Sequence, residues 1–140
     1  EKENGAPHLV PLSAQAVAAL RALHAVTGHG RLVFPGERSH DRPISENTVT
    51  TALRSMGYAR DQMVAHGFRA MARTLLDEVL EEPVAVIEAQ LAHKVRDALG
   101  NAYNRTSHIE QRRGMMQRWA DYLDKLAAGG EVIAFPGKVA

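Results

Sequence analysis

The 140-residue chain contains no cysteine. Disulfides, thiolate nucleophiles and cysteine-based zinc sites are thereby excluded, and a reducing cytoplasm is the default compartment. Aromatic residues are scarce, at 5%, so a packed interior must be built mainly from aliphatic side chains. No apolar run approaches the roughly 18 residues that would span a membrane. The net charge is only +1, so bulk electrostatics announce no polyanionic partner. What is present, 45% hydrophobic and 24% charged residues, suits one globular domain long enough to bury a core.

The distribution of charge says more than its sum. Residues 74–93 hold five acids (Asp77, Glu78, Glu81, Glu82, Glu88) and no Lys or Arg. Residues 94–118 hold six bases (Lys94, Arg96, Arg105, Arg112, Arg113, Arg118) against two acids, a local excess of +4. Clustered arginine fits a phosphate footprint; a solvated helix face fits the same charges.

Along the chain, "HLVPL" (8–12) follows the turn-like "ENGAP" and reads as a strand leaving a hairpin. Ser13 is a good N-cap for "AQAVAALRALHAVTG", with apolar positions 17, 20 and 23 and Gly28 as the stop. "RLVFPG" (31–36) reads as a short strand or extended segment before a polar loop. Ser45 caps "ENTVTTALRSMG", in which Val49, Leu53 and Met56 share helical spacing and Gly57 takes the C′ position. A third helix runs over roughly 67–80, and Pro83 opens a fourth over "VAVIEAQLAH". A short helix near 97–105 and a longer one over roughly 109–128 follow. In the latter, Met115, Met116, Trp119, Tyr122, Leu123 and Leu126 form the apolar face. "EVIAF" (131–135) is a candidate terminal strand in a tail over 131–140. The architecture is mainly α with a few short β-strands.

The stretch "AHGFRAMARTLLDE" (65–78) starts its helix awkwardly, because Gly67 weakens a helix relative to alanine. At about 100° per residue, Phe68, Met71, Ala72, Leu75, Leu76 and Val79 fall in one broad arc, the expected core face. His66, Arg69 and Arg73 cluster away from that arc as surface neighbours. They lie at the end where backbone N–H groups point outward and an anion is welcome. A solvated pair accounts for His66 and Arg69 as well, but leaves Gly67 unexplained. A glycine there suits the close approach of a backbone.

His93 ends "IEAQLAH", 24 residues after Arg69, and Tyr103 lies ten residues further on in "NAYNRT". In this order and spacing the chain resembles the tyrosine recombinase (phage integrase) family, in which an H-x-x-R motif, a later His or Trp and a tyrosine about ten residues beyond form the active site. "AHGFRAMARTLLDE", "IEAQLAH", "AYNRT" and "QRRGMMQRWADYL" resemble the P4-like prophage integrases in particular, and "PHLVPLS" and "ISENTVTTALRSMGY" extend the likeness towards the N-terminus.

The resemblance implies the C-terminal catalytic domain of an integrase, with the DNA breaking-rejoining fold incomplete at its N-terminus. It implies a site-specific recombinase that cuts double-stranded DNA through a 3′-phosphotyrosine intermediate. Tyr103 is then the nucleophile, Arg69 the second phosphate-binding arginine, His66 the acid/base histidine and His93 a hydrogen-bond donor to the scissile phosphate. Lys2, in "EKENGAPH", maps to the hairpin lysine that protonates the leaving 5′-hydroxyl. The family's first arginine precedes that hairpin and has no counterpart in residues 1–140, nor do the N-terminal DNA-binding domains, so the chain reads as an inactive fragment of an active parent. No cofactor or metal is implied. Members act as homo-tetramers on attachment sites, with a C-terminal segment often packed on a neighbour, which gives "EVIAF" a candidate role. The implied location is the cytoplasm, on the nucleoid when DNA is bound.

The bland readings stand beside these. Tyr58 and Tyr122 suit half-buried tyrosines, Arg73 and Arg105 suit phosphate contacts or local salt bridges, and Trp119 with Met115 and Met116 suits core. Seven histidines invite a metal, yet no H-E-x-x-H or carboxylate-supported cluster accompanies them. Two competing functions are a catalytically inactive DNA-binding remnant or regulator of integrase origin, and a type IB topoisomerase.

Overall fold

A computed structural model describes residues 8–92 and 108–129. Lys2, His93, Tyr103, the helix expected near 97–105 and the strand expected over 131–135 lie outside the described residues. Five helices follow in order: α1 (Ala14–Thr27), α2 (Thr48–Ser55), α3 (Gly67–Glu78), α4 (Val84–Gln90) and α5 (Ile109–Ala127). None of them is long and apolar enough to cross a membrane.

Local chemistry sets most of the boundaries. The Ser13 hydroxyl accepts the Ala16 N–H at 3.2 Å, satisfying one of the free donors at the start of α1. Gly57 (φ 93°) follows α2 and Gly129 (φ 85°) follows α5, both in the left-handed region that glycine reaches without a Cβ clash. After α3 the chain reverses through Glu81 (φ 51°). The Glu82 N–H then returns to Leu76 O at 2.9 Å, and Pro83 stands at the N-cap of α4.

Two expected strands do not form. Residues 8–12 make no ladder, and Leu9, Val10 and Leu12 are exposed. Over 31–36 there is only an isolated antiparallel bridge between Pro35 and Pro43. Ile44 donates to Phe34 O at 3.0 Å and Gly36 to Arg42 O at 2.7 Å. The Arg42 N–H closes a turn on Ser39 O at 3.2 Å rather than pairing with Gly36 O, so the bridge is not extended into a strand on that side. The described residues are therefore helical with no named strand.

The cap of α2 also differs from expectation. Asn47, not Ser45, is the N-cap, while the Ser45 hydroxyl accepts the Asn47 N–H at 3.3 Å and closes a turn just before the helix.

The core lies where α3, α4 and α5 meet. Leu76, Val86, Ile87 and Met115 are buried together, and Leu80, Leu91, Met116 and Trp119 pack against them. The helix pairs that pack are α4 with α5, α3 with α4, and α1 with α5. Polar contacts join α1 to α5: Gln15 donates to Asp121 at 2.8 Å and Asp124 at 2.9 Å, and Gln117 accepts the Ala14 N–H at 2.9 Å.

The expected core arc of α3 is corrected. Phe68 and Met71 are 44% and 38% exposed, whereas Leu76 is buried. At 100° per residue Leu76 lies only about 20° from Arg69 around the helix. The side that meets α4 is thus shifted towards the arginines, and the apolar arc is only partly used.

Ile87 is fully buried and Val26 is 68% exposed. Ile87→Ala should lower the unfolding free energy by about 2–5 kcal/mol through lost transfer and a residual cavity. Val26→Ala should stay within about 0.5 kcal/mol. Denaturant titrations compared at equal slope measure both.

Candidate functional site

His66 is the N-cap of α3, with φ −67° and ψ −25°. Its carbonyl accepts the Arg69 N–H at 3.0 Å. Its exposed ring has no hydrogen-bond partner among the described residues. The ring's position is therefore set by the backbone that leads into the helix. That backbone is a loop of short-range bonds. Gln62 and Met63 each donate to Ala59 O at 3.1 Å, and Gly67 donates to Val64 O at 2.8 Å.

At Gly67 the closest approach among the described residues is made by this chain's own methionine: a Cβ there would stand 2.9 Å from the Met63 sulfur, near the far end of a flexible side chain.

Arg69 is half-buried and donates to the carbonyl of Leu91, the C-cap of α4. One turn on, Arg73 donates to Glu88 at 2.6 Å across the α3–α4 contact and to Asp77 at 2.7 Å within α3. The hydrogen bonds to Asp77 and Glu88 hold the Arg73 guanidinium above its ordinary pKa. Arg73 is thus a salt-bridge residue, one of the two roles its place in the sequence allows.

The end of α4 gathers further donors. His8 Nε2 lies 3.2 Å from Gln90 O, and the Gln90 side-chain oxygen accepts from Arg112 Nε at 2.8 Å. Arg112 also donates to Leu9 O, and its Nη2 lies 3.3 Å from His8 Nε2. At 2% exposure it is buried, and desolvation lowers its pKa. Ala92 follows with φ 53°, turning the chain immediately before His93. The fold therefore holds His66 and Arg69 on one helix and joins Arg69 to the segment that leads to His93.

The basic tract reads differently once its partners are known. Arg118 grips Glu82 through Nε at 2.5 Å and Nη2 at 2.8 Å, a fork matched to a carboxylate. The hydrogen bond to Glu82 raises its pKa. Arg113 pairs with Glu110 at 3.5 Å. Of the three described arginines of the tract, Arg112 and Arg118 are thus engaged between elements of the fold, while Arg113 stays exposed in a local pair. Among the described residues no three His, Asp or Glu side chains group as metal ligands would.

Sequence reasoning missed three of these residues. Arg112 shares the i, i+3, i+4, i+7 stripe of Met115, Met116 and Trp119, which was the available signal. Gln90 carried none. Arg54, in the last turn of α2, donates to three loop carbonyls, and its place at a helix C-terminus was the only hint.

Comparison with known proteins decides how the His66–Arg69 helix is read. The integrase of Enterobacteria phage P4 is 47% identical over 119 residues, covering 84% of this chain and 27% of that protein. Prophage integrase IntA of Escherichia coli K12 is 38% identical over 132 residues, 94% of this chain and 32% of that protein. The integrase of Shigella phage Sf6 is 37% identical over 119 residues, 84% of this chain and 30% of that protein. The chain is a relative of the phage integrases. It spans 27–32% of the length of these three. No protein-family model and no solved structure matches it.

Within this integrase-related segment, Glu82 has a side chain only 5% exposed, while Arg113 and Glu110 are 65% and 79% exposed. Arg118→Ala, which removes a half-exposed guanidinium from a buried carboxylate, should destabilise the fold by about 1–3 kcal/mol. Arg113→Ala should change stability by less than about 1 kcal/mol. Thermal unfolding of the two variants side by side measures the contrast.

Proposed function

We propose that residues 1–140 form most of the catalytic domain of a tyrosine-type site-specific recombinase. The intact protein cuts and rejoins double-stranded DNA at attachment sites during integration or excision of a prophage or related element. One observation carries this reading. The relatives with up to 47% identity are named integrases, and the segment they share includes a helix that starts with an exposed imidazole and a guanidinium one turn on.

In this reading the Tyr103 hydroxyl attacks a backbone phosphorus. The P–O5′ bond breaks, a 3′-phosphotyrosine forms and a 5′-hydroxyl leaves. A free tyrosine has a pKa of about 10, so the attack needs a proton acceptor and stabilisation of the phosphorane's charge. His66 assists transfer of the tyrosine proton. Arg69 clamps phosphoryl oxygens. Only one of its five N–H donors is needed for the Leu91 carbonyl, and its planar fork suits the task. His93 donates to the same phosphate and Lys2 protonates the leaving oxygen. The phosphate stays esterified throughout, so religation needs no ATP. Four copies act on paired sites, with residues 131–140 as the candidate exchanged tail. The protein works in the cytoplasm, on DNA.

A nicked suicide duplex carrying the attachment site tests the reading in the intact protein. The wild type should form a covalent adduct and Tyr103→Phe none. Arg69→Ala should slow adduct formation by about 10²–10³-fold, and His66→Ala by about 10²–10⁴-fold. An adduct formed equally by Tyr103→Phe would remove Tyr103 as the nucleophile, and none by the wild type would leave a DNA-binding remnant. Relaxation of supercoils without regard to sequence would point to a topoisomerase.

A further inference from the structure

We infer that Arg54, on α2, is the positioning residue for His66, a role that rests on the recombinase reading above. Arg54 donates from Nη1 to Tyr58 O at 2.6 Å and Ala59 O at 3.0 Å. From Nη2 it donates to Met63 O at 2.8 Å. One guanidinium thus ties both ends of the 58–63 loop to the last turn of α2. The only step between Met63 and His66 is the turn closed by Gly67 N–H and Val64 O.

At its first end the loop is also tied to α2 by the Tyr58 N–H to Leu53 O at 3.1 Å; at the Met63 end Arg54 supplies the bond to α2. The helix pairs with substantial packing do not include α2. The Met63 sulfur lies against Gly67, and the turn closed by Gly67 N–H and Val64 O carries a shift of the Met63 backbone to the start of α3. His66 has no side-chain hydrogen bond among the described residues to hold its ring against such a shift.

The residue type matters. Arginine stays charged and presents its donors in a rigid plane, so it can span carbonyls on two strands of a loop. A lysine ammonium concentrates its donors on one atom and can serve only one end. Three of the five Arg54 N–H donors are committed to loop carbonyls, so the residue acts through the loop. A displacement of about 1 Å in a catalytic group is enough to cost about 10²-fold in rate.

The test uses the intact protein and the nicked suicide duplex. Arg54→Met should slow adduct formation by about 10–100-fold while leaving the Kd for the duplex within about twofold. Hydrogen exchange of residues 58–67 should rise by about tenfold, with residues 109–127 unchanged. Unchanged exchange over 58–67 would overturn the inference, as would an equal loss of DNA affinity and cleavage, which would make Arg54 a DNA contact. If Arg54→Met unfolds α5, Arg54→Lys takes its place. It should still raise exchange over 58–67, and protection equal to wild type would overturn the inference. A wild-type protein that forms no adduct removes the recombinase reading, and exchange over 58–67 still decides whether Arg54 holds His66.

Discussion

The last turn of α4 is the constraint on which the rest of the arrangement depends. Every α-helix ends with carbonyls that have no partner inside the helix, and burying such an end without donors is costly. Here Gln90 O faces His8, Leu91 O accepts from Arg69, and the Gln90 side chain accepts from Arg112. Satisfying one helix end therefore joins the N-terminal segment, α3 and α5 at a single place. The apolar contacts of Ile87 with Leu76 and Met115 bring the helices together. The polar contacts fix how they are rotated and where the chain departs towards His93.

That arrangement assigns arginines to two kinds of work. Arg73, Arg112 and Arg118 spend their donors on Glu88, Gln90 and Glu82, each crossing between elements distant in sequence. A guanidinium is well suited to this because it is weakly hydrated and can serve several acceptors in one plane. Arg69 is the intermediate case. One donor reaches the end of α4, which orients the plane, and a single carbonyl leaves capacity for an anion. A phosphate-binding arginine that also reports the position of α4 would couple the clamp to the segment that carries His93.

Much of this was legible in the sequence, for identifiable reasons. Ser13, Gly57 and Pro83 mark helix ends through short-range chemistry that needs no tertiary context, and α5 follows from its long apolar stripe. Strands over 8–12 and 31–36 do not form because apolar content says nothing of a partner to pair with, and beside Pro35 the Arg42 N–H closes a turn on Ser39 instead of extending the bridge. The buried side of α3 was misjudged for a different reason. The arc through Phe68 and Met71 is apolar, yet α4 docks on the flank nearer Arg69, and Leu76 alone reaches the shared core. Which side of an amphipathic helix is covered depends on a neighbour whose position the sequence does not encode locally. Arg54 escaped notice because its partners, backbone carbonyls, leave no trace in side-chain identity, and Gln90 because its partner Arg112 lies on a different helix. The candidate residues His66 and Arg69 were legible through motif order, whereas Lys2, His93 and Tyr103 lie outside the described residues.

The two described members of the candidate site rest on different supports, and this shapes how the site can move. Arg69 sits one turn inside α3, where packing on α4 and the bond to Leu91 O restrain it. His66 sits at the helix boundary, where the first N–H groups have no intrahelical partner and ends fray most readily. Its restraint comes from the loop before it. A change that loosens the loop shifts the imidazole while the guanidinium stays, and a change at α4 does the reverse. The separation of these effects follows from where each residue's backbone is held: His66 depends on the α2–loop side and Arg69 on the α3–α4 side.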